Sequence, residues 1–152
     1  MSDSRFKNAD NFSHHAYAIV GSTELVKSSL LSELENNWKI SIKGNPDVSI
    51  NVYDTLRIDD ARELTAKQKN KSFSDNRKIF IIEANSIAVE AQNALLKAFE
   101  EPAENTHFFL IGNATKNLIP TLLSRVNKIN FFVDMTDKDN ASAFLTASTA
   151  KR

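Results

Sequence analysis

The clearest pattern of hydrophobic and polar positions runs through residues 77–102, RKIFIIEANSIAVEAQNALLKAFEEP. Residues 79–82 form a continuous apolar run rich in isoleucine, which is typical of a parallel strand covered on both faces. Apolar residues then recur every four positions over residues 87–99, which indicates a helix with one core-facing stripe. Asn85 or Ser86 can cap this helix, and the closing proline cannot continue it. The segment therefore predicts a buried strand followed by an amphipathic helix.

Similar patterns predict four more strands and three more helices around this pair. The strands are residues 16–20, 48–52, 107–111 and 129–133. The first of these helices carries Val26, Leu30, Leu31, Leu34 and Trp38. The second carries Ala61, Leu64 and Gln68 and begins after a cap at Asp59 or Asp60. The third carries Leu122, Leu123 and Arg125 and begins at Pro120. Alternating polar and apolar residues place the strand at 48–52 near a sheet edge. Strands alternating with helices indicate a three-layer α/β sandwich with a five-stranded parallel sheet.

The composition is that of a soluble globular protein. The 152 residues suit one domain, with 41% hydrophobic and 25% charged residues. No apolar run approaches the roughly 20 residues of a membrane helix, and the first residues lack a signal peptide, so we expect a cytoplasmic protein without membrane contact. The chain has no cysteine, and His14 and His15 have no acidic residue beside them, so we expect no metal site.

Charge gives only a local indication of a partner. Basic and acidic residues both number 19, so nothing global attracts the chain to nucleic acid. A basic stretch nevertheless follows the second helix, at Lys67, Lys69, Lys71, Arg77 and Lys78. Two interpretations of it remain open: a solvated helix end, or a weak contact with the phosphate backbone of DNA.

Two segments resemble a known family. EAQNALLKAFEEP, residues 90–102, resembles the helix after the Walker B strand in AAA+ subunits of the bacterial DNA polymerase III clamp loader. LIPTLLSRV, residues 118–126, resembles the Ser-Arg-Cys segment of the same family, with Val126 in place of the cysteine. The resemblance implies a P-loop NTPase-like fold with the strand order 5-1-4-3-2.

Comparison of the loop GSTELVKS, after the first strand, with the P-loop motif indicates whether nucleotide binding is retained. Gly21, Lys27 and Ser28 fit the pattern G-x-x-x-x-G-K-[ST], in which glycine backbones cradle phosphate. Val26 replaces the second glycine. A β-branched residue at positive φ costs about 1–2 kcal/mol, and its side chain would fill the phosphate space. We expect a P-loop fold without nucleotide function, and an ordinary helix start in place of a degenerate P-loop leads to the same expectation.

The end of the central strand also argues against nucleotide binding. In register with the family motif, Ile82 takes the position of the aspartate that orients Mg²⁺, and Glu83 takes that of the glutamate that activates water. A one-residue gap would instead place Glu83 at the aspartate position and leave Ala84 in place of the catalytic acid, and either alignment breaks the ATPase. An isoleucine cannot ligate a hard cation, so ATP and magnesium binding are predicted to be lost. Asn113 occupies the position of the family's polar sensor residue.

Ser124 and Arg125 keep the family pattern. In clamp loaders the matching arginine reaches the ATP site of a neighbouring subunit as a finger in trans. The resemblance therefore implies a non-catalytic, delta-prime-like subunit in DNA replication that binds an ATPase subunit and a delta-like subunit. The alternative for Arg125 is a surface arginine that caps a short helix.

Two other functions remain open. A weak NTPase would use Lys27, Ser28 and Glu83, and a scaffold would use the fold for an unrelated partner. We expect a flexible N-terminal arm at residues 1–13, an AAA+ core at 14–134, and the start of a lid helix or a tail at 135–152.

Overall fold

The computed structural model describes residues 14–69 and 77–131. The elements in chain order are β1 (Ala16–Val20), α1 (Thr23–Asn36), β2 (Val48–Leu56), α2 (Ile58–Gln68), β3 (Lys78–Ile87), α3 (Val89–Glu100), β4 (Thr106–Ile111), a 3₁₀ turn (Asn113–Lys116), α4 (Pro120–Leu123) and β5 (Asn127–Asn130). The predicted arm, the predicted lid or tail, and residues 132–133 of the predicted fifth strand lie outside the described residues.

All five strands run parallel in one sheet with the order β2-β3-β4-β1-β5. This is the strand order that the resemblance implied, and the predicted α/β sandwich is confirmed. The register sets Ala18 opposite Leu110 and Lys128, and Glu83 opposite Ile111. Because every strand points the same way, the carboxyl ends of all five strands lie along one side of the sheet, which we call the carboxyl edge. The amino ends lie along the opposite side, which we call the amino edge.

Helices cover both faces of the sheet. On one face α1 packs through Val26, Leu30 and Leu34, which are fully buried. On the other face α2, α3 and α4 cover a larger apolar cluster that includes Phe99 and Leu122. The inner stripe predicted for α2 is confirmed, since its three residues are buried. Burial on both faces explains why the central strands are continuously apolar.

The third strand is longer than the sequence predicts. The expected helix start near Asn85 or Ser86 is wrong, because β3 continues to Ile87 and α3 begins only after it. Asn85 Nδ2 donates to Asp54 Oδ1 at 3.1 Å. The Ser86 hydroxyl lies 3.0 Å from that of Thr55. Both polar residues therefore bind side chains of β2 and do not cap a helix, whereas the predicted helix end before the proline is confirmed.

Other boundaries also differ from the prediction. Trp38 lies beyond the end of α1, next to Lys39, whose φ of 57° is left-handed. Asp60 is not the cap of α2: its carboxylate accepts the Arg57 amide at 2.9 Å from the third helical position. Arg125 follows α4 instead of lying within it. The observed helix boundaries differ from the predicted ones by less than one helical turn, and the topology is the predicted one.

Candidate functional site

The connection between β1 and α1 forms no phosphate cradle. The helix already begins at Thr23, so only Gly21 and Ser22 separate it from the strand. The predicted strain at Val26 is wrong, because this residue lies in the helix and is not among those with positive φ. Its amide donates to the Ser22 carbonyl at 2.8 Å, and its side chain is buried. Val26 lies inside α1, and the helix begins early enough to include most of the residues that would otherwise form a phosphate-binding loop.

Apolar side chains occupy the space beside Gly21. A Cβ atom placed on Gly21 would lie 3.0 Å from Phe131 Cβ and 3.1 Å from Val26 Cγ2. Both distances are shorter than ordinary carbon–carbon packing contacts. The glycine therefore allows two side chains to pack closely at the point where a phosphate would approach the backbone.

Lys27 and Glu83 bind each other. Lys27 Nζ lies 3.0 Å from Glu83 Oε1, and the two side chains are 32% and 25% exposed. The lysine projects from α1 and the glutamate from β3, so the fold brings together two residues predicted for the degenerate nucleotide site. Each charge is compensated by the other, and an incoming phosphate would have to displace the carboxylate.

The other predicted members of this site lie at the same edge of the sheet but do not join the ion pair. Ser28 is exposed on α1. Asn113 Nδ2 donates to Asn85 Oδ1 at 3.4 Å, and Asn85 in turn donates to Asp54, so a polar chain follows the strand ends. Ile82 is fully buried in the core. With Ile82 in register with the metal-orienting aspartate, that position offers no oxygen ligand to a hard cation.

Arg125 is held in a fixed arrangement at the surface. Its Nε donates to Glu100 Oε2 at 3.1 Å, and Nη2 lies 3.0 Å from the same oxygen. Nη1 donates to Ser124 Oγ at 3.1 Å, and this hydroxyl donates to the Thr121 carbonyl at 2.8 Å. The arginine side chain is 46% exposed. Sequence reasoning missed Glu100, because 25 residues separate it from the arginine and no local spacing links them.

Arg125 and the lysine–glutamate pair lie at opposite edges of the sheet. Asn127, which follows shortly after Arg125, pairs with Tyr17 near the start of β1. Gly21 instead follows the end of β1. Glu100 ends α3, the helix that returns from the carboxyl edge to the amino edge. Arg125 therefore cannot reach the degenerate site of its own chain while the fold is intact.

The structure divides the predicted basic stretch between two faces of the sheet. Arg77 stacks on the tryptophan after α1. Lys78 donates to the Lys67 carbonyl at the end of α2, on the opposite face, because successive strand residues point to opposite sides. Burial lowers the pKa of Lys78. Lys69 is exposed beyond α2, and Lys71 lies outside the described residues.

Backbone carbonyls bind the histidine rings near the amino edge of the sheet. His107 Nδ1 lies 3.0 Å from the His14 carbonyl oxygen, and His15 Nε2 contacts the Phe99 carbonyl. Burial lowers the pKa of both His15 and His107. Within residues 14–69 and 77–131, no group of three or more histidine and acidic side chains could hold a metal ion. In the same part of the chain, no helix has the length and apolar character to cross a bilayer.

The sequence also matches a family model. The model described as DNA polymerase III, delta subunit, matches residues 7–134. The chain belongs to this family. The resemblance of residues 90–102 and 118–126 to clamp-loader subunits is thereby confirmed.

Curated relatives of this delta-subunit family member include bacterial and eukaryotic proteins. The chain is 37% identical over 71 residues to DNA polymerase III subunit delta′ of Pseudomonas aeruginosa, covering 46% of this chain and 22% of that protein. It is 36% identical over 72 residues to the Escherichia coli delta′ subunit, covering 47% and 22%. It is 32% identical over 107 residues to mouse replication factor C subunit 5, covering 68% and 32%. The matched regions span about a third or less of these relatives.

Solved structures share the fold at lower identity. A DNA polymerase III gamma subunit-related protein from Thermotoga maritima superposes with a TM-score of 0.72 at 24% identity, covering 88% of this chain and 46% of that one. The Bacillus subtilis DNA clamp loader delta protein gives 0.59 at 16% identity, covering 92% and 45%. The likeness supports the predicted AAA+ architecture.

Proposed function

We propose that this chain acts as a non-catalytic clamp-loader subunit of the delta-prime type and offers Arg125 to the nucleotide site of a neighbouring subunit. The observation that carries the proposal is the placement of two groups of residues. Residues that would serve ATP in the same chain bind each other at the carboxyl edge. Arg125 stands exposed at the amino edge, away from that site.

The chain itself is proposed to bind neither ATP nor magnesium. Lys27 would have to leave Glu83 to reach a phosphate, and the early start of α1 removes the loop that donates backbone amides. Ile82 supplies no ligand to a cation that demands oxygen. A weak NTPase would need all three obstacles removed at once, so we favour the inactive subunit.

Arg125 is proposed to act in trans because its side chain is both hydrogen-bonded and accessible. Glu100 and Ser124 hold one side of the guanidinium, and about half of the side chain is exposed. A guanidinium has five N–H donors, so its terminal nitrogens can still donate to the oxygens of a phosphate. An arginine placed in this way stabilises charge on a transferring phosphoryl group.

The partners follow from this role. We propose that the chain binds other clamp-loader subunits, namely an ATPase subunit and a delta-like subunit, in the cytoplasm. A contact between the basic residues near the end of α2 and the DNA backbone stays a prediction. Arg77 and Lys78 face opposite sides of the sheet, so one DNA segment would not engage them together.

Calorimetric titration with ATP and Mg²⁺ tests the inactive site. At protein concentrations that register a dissociation constant of about 1 mM, we expect no saturable heat. A matched titration with ATP and EDTA separates metal-dependent binding from nonspecific heat. Saturable, magnesium-dependent binding would refute the proposal and favour the weak NTPase.

A second experiment tests the arginine. The ATPase rate of the partner subunit from the same organism is measured with wild-type chain, with Arg125→Ala, and with Arg62→Ala as a control of equal charge change. Arg62 is exposed on α2 and pairs only weakly with Asp59, at 3.5 Å. Arginine fingers contribute about 10³ to 10⁵ in rate, so Arg125→Ala should abolish the stimulation while the control retains it. Equal rates for both variants, with complex formation confirmed by size-exclusion chromatography, would contradict a trans role.

A further inference from the structure

A polar groove lies at the amino edge of the sheet, away from Arg125 and from the lysine–glutamate pair. The loop from α1 to β2 and the first residue before β3 enclose a cavity of about 670 Å³. It is lined by Trp38, Lys39, Ile40, Ser41, Lys43, Gly44, Asn45, Pro46 and Arg77. We call these residues the loop groove. The sequence predictions singled out only Arg77 from this set as a contact residue.

The loop groove is cationic. Lys39, Lys43 and Arg77 line it and are exposed, and none of the other described residues that line it is acidic. None of them forms an ion pair with another described residue. Asp47 is the nearest acid along the loop, but it is buried and does not line the groove. Three positive charges that form no ion pair with a described residue lie in one concave surface, and such a surface attracts an anion with several charged groups.

Arg77 presents a flat cationic surface. Its Cζ lies 4.2 Å above the centre of the Trp38 ring. The indole is held from other sides by His107, at 5.0 Å between ring centres, and by Phe109, at 6.3 Å. Because the indole lies on one side of the guanidinium and Arg77 is exposed, a planar group can approach the guanidinium from the side away from the indole.

The loop that carries the lysines is built in a specific conformation. Lys39 adopts a φ of 57°, a left-handed conformation that an L-residue holds only when its surroundings impose it. The Ile40 amide donates to the Leu34 carbonyl at 3.0 Å, which ties the loop to α1. Asn45 donates to the Ser41 carbonyl at 2.8 Å, which closes the loop on itself. These hydrogen bonds hold the loop that carries the lysines against α1 and against itself.

We propose that the loop groove binds single-stranded nucleic acid. Lys39 and Lys43 contact successive phosphates, and an unpaired base stacks on the guanidinium of Arg77. Single strands expose base faces that stack on aromatic or guanidinium planes, and their phosphates supply the repeated charge. A paired base in a duplex has both faces covered and cannot use Arg77. An acidic peptide would use the charges but not the stacking surface, so the groove fits a nucleic acid better.

Trp38 allows a direct measurement, because it is the single tryptophan of the chain. Its fluorescence is followed while an oligothymidylate of about 20 nucleotides is added, a length above the site size of most single-strand binders. We expect saturable quenching. Each phosphate contact contributes about 0.7 to the slope of log K against log salt, so the two lysine contacts give a slope of about −1.4.

The variant for this test is Lys39→Asn with Lys43→Gln. Asparagine tolerates the left-handed conformation at position 39, so the loop should keep its shape. The slope should fall close to zero, since neither of the two proposed phosphate contacts remains. The control is Lys116→Gln with Lys128→Gln, which removes the same charge from exposed positions outside the groove and should leave the slope at about −1.4.

Two further arms test the stacking and the class of ligand. Arg77→Lys keeps the charge but removes the plane, so it should weaken binding of oligothymidylate more than binding of an abasic strand of equal length. Absence of Trp38 quenching by oligothymidylate, or equal loss in the groove and control variants, would overturn the proposal. Equal quenching by polyglutamate would also overturn it and indicate an acidic protein partner. None of these measurements depends on the trans role of Arg125.

Discussion

Replacing Gly112 by alanine should destabilise the protein strongly. Gly112 joins β4 to the 3₁₀ turn and has a φ of 101°. A Cβ atom at this position would lie 2.5 Å from the Ala84 carbonyl oxygen and 3.1 Å from the Ala84 nitrogen. These are backbone atoms of a central strand, so they cannot rotate away as the end of a side chain can. The alanine would therefore force β3 and β4 apart next to Glu83.

Two costs contribute to the expected loss. Gly112 has φ 101° and ψ −178°, a region that is essentially restricted to glycine, and holding another residue there costs about 1–3 kcal/mol. Forcing an extra carbon into a closely packed site costs about 1–3 kcal/mol. The sum for Gly112→Ala is about 2–6 kcal/mol, which is a large share of the roughly 5–15 kcal/mol that stabilises a typical domain.

Gly44→Ala is the matched control. Gly44 also has positive φ, at 70°, but nothing lies within 4 Å of a Cβ placed there. This variant should therefore lose only the conformational cost of about 1–2 kcal/mol. The difference between the two variants reports the contact with Ala84 together with any difference in conformational cost between the two backbone positions.

Urea unfolding measured by Trp38 fluorescence gives the free energy of unfolding for each variant. Gly112→Ala should unfold at a clearly lower urea concentration than Gly44→Ala, with a similar dependence of free energy on urea. If the two free energies agree within about 0.5 kcal/mol, the close approach of the two strands does not contribute and the reasoning fails.

Three further outcomes are expected. Stability should fall as the pH drops below about 6.5, because burial lowers the pKa of His15 and His107 in the folded state and the unfolded chain therefore binds protons more readily. Urea midpoints measured at about pH 7.5 and 5.5 test this, and His107→Asn should reduce the difference between the two midpoints. Ile82→Asp should cost about 3 kcal/mol or more in unfolding free energy, because it buries an unpaired carboxylate, and magnesium should not restore the loss. Glu83→Gln should cost less than about 1 kcal/mol, because its ion pair with Lys27 is partly exposed, and a larger loss in urea unfolding would show that the pair is structural.

Local patterns predicted most of the elements because they depend on neighbouring residues. The first strand and the inner stripe of α2 follow directly from hydrophobic periodicity. The same reasoning failed at Asn85 and Ser86, which have the chemistry of helix caps. Their hydrogen-bond partners lie 31 residues away on β2, so the strand continues past them. A competing long-range contact decided this boundary.

The placement of the basic residues shows a second limit. Strand alternation alone could have separated Arg77 from Lys78, since neighbouring strand residues face opposite sides. It could not have joined Arg77 to Lys39 and Lys43, which come from a different loop. That grouping requires the amino ends of β2 and β3 to lie side by side.

The sequence by itself determined the alternation of strands and helices, and through its resemblance to clamp-loader subunits it also gave the strand order. Only the tertiary structure paired Lys27 with Glu83, across 56 residues, and Arg125 with Glu100, across 25. The physical reason is that periodicity reports which face of an element is buried, whereas side-chain pairs across a sheet depend on strand register and on the crossovers between strands. Those quantities are set by the packing of the whole domain.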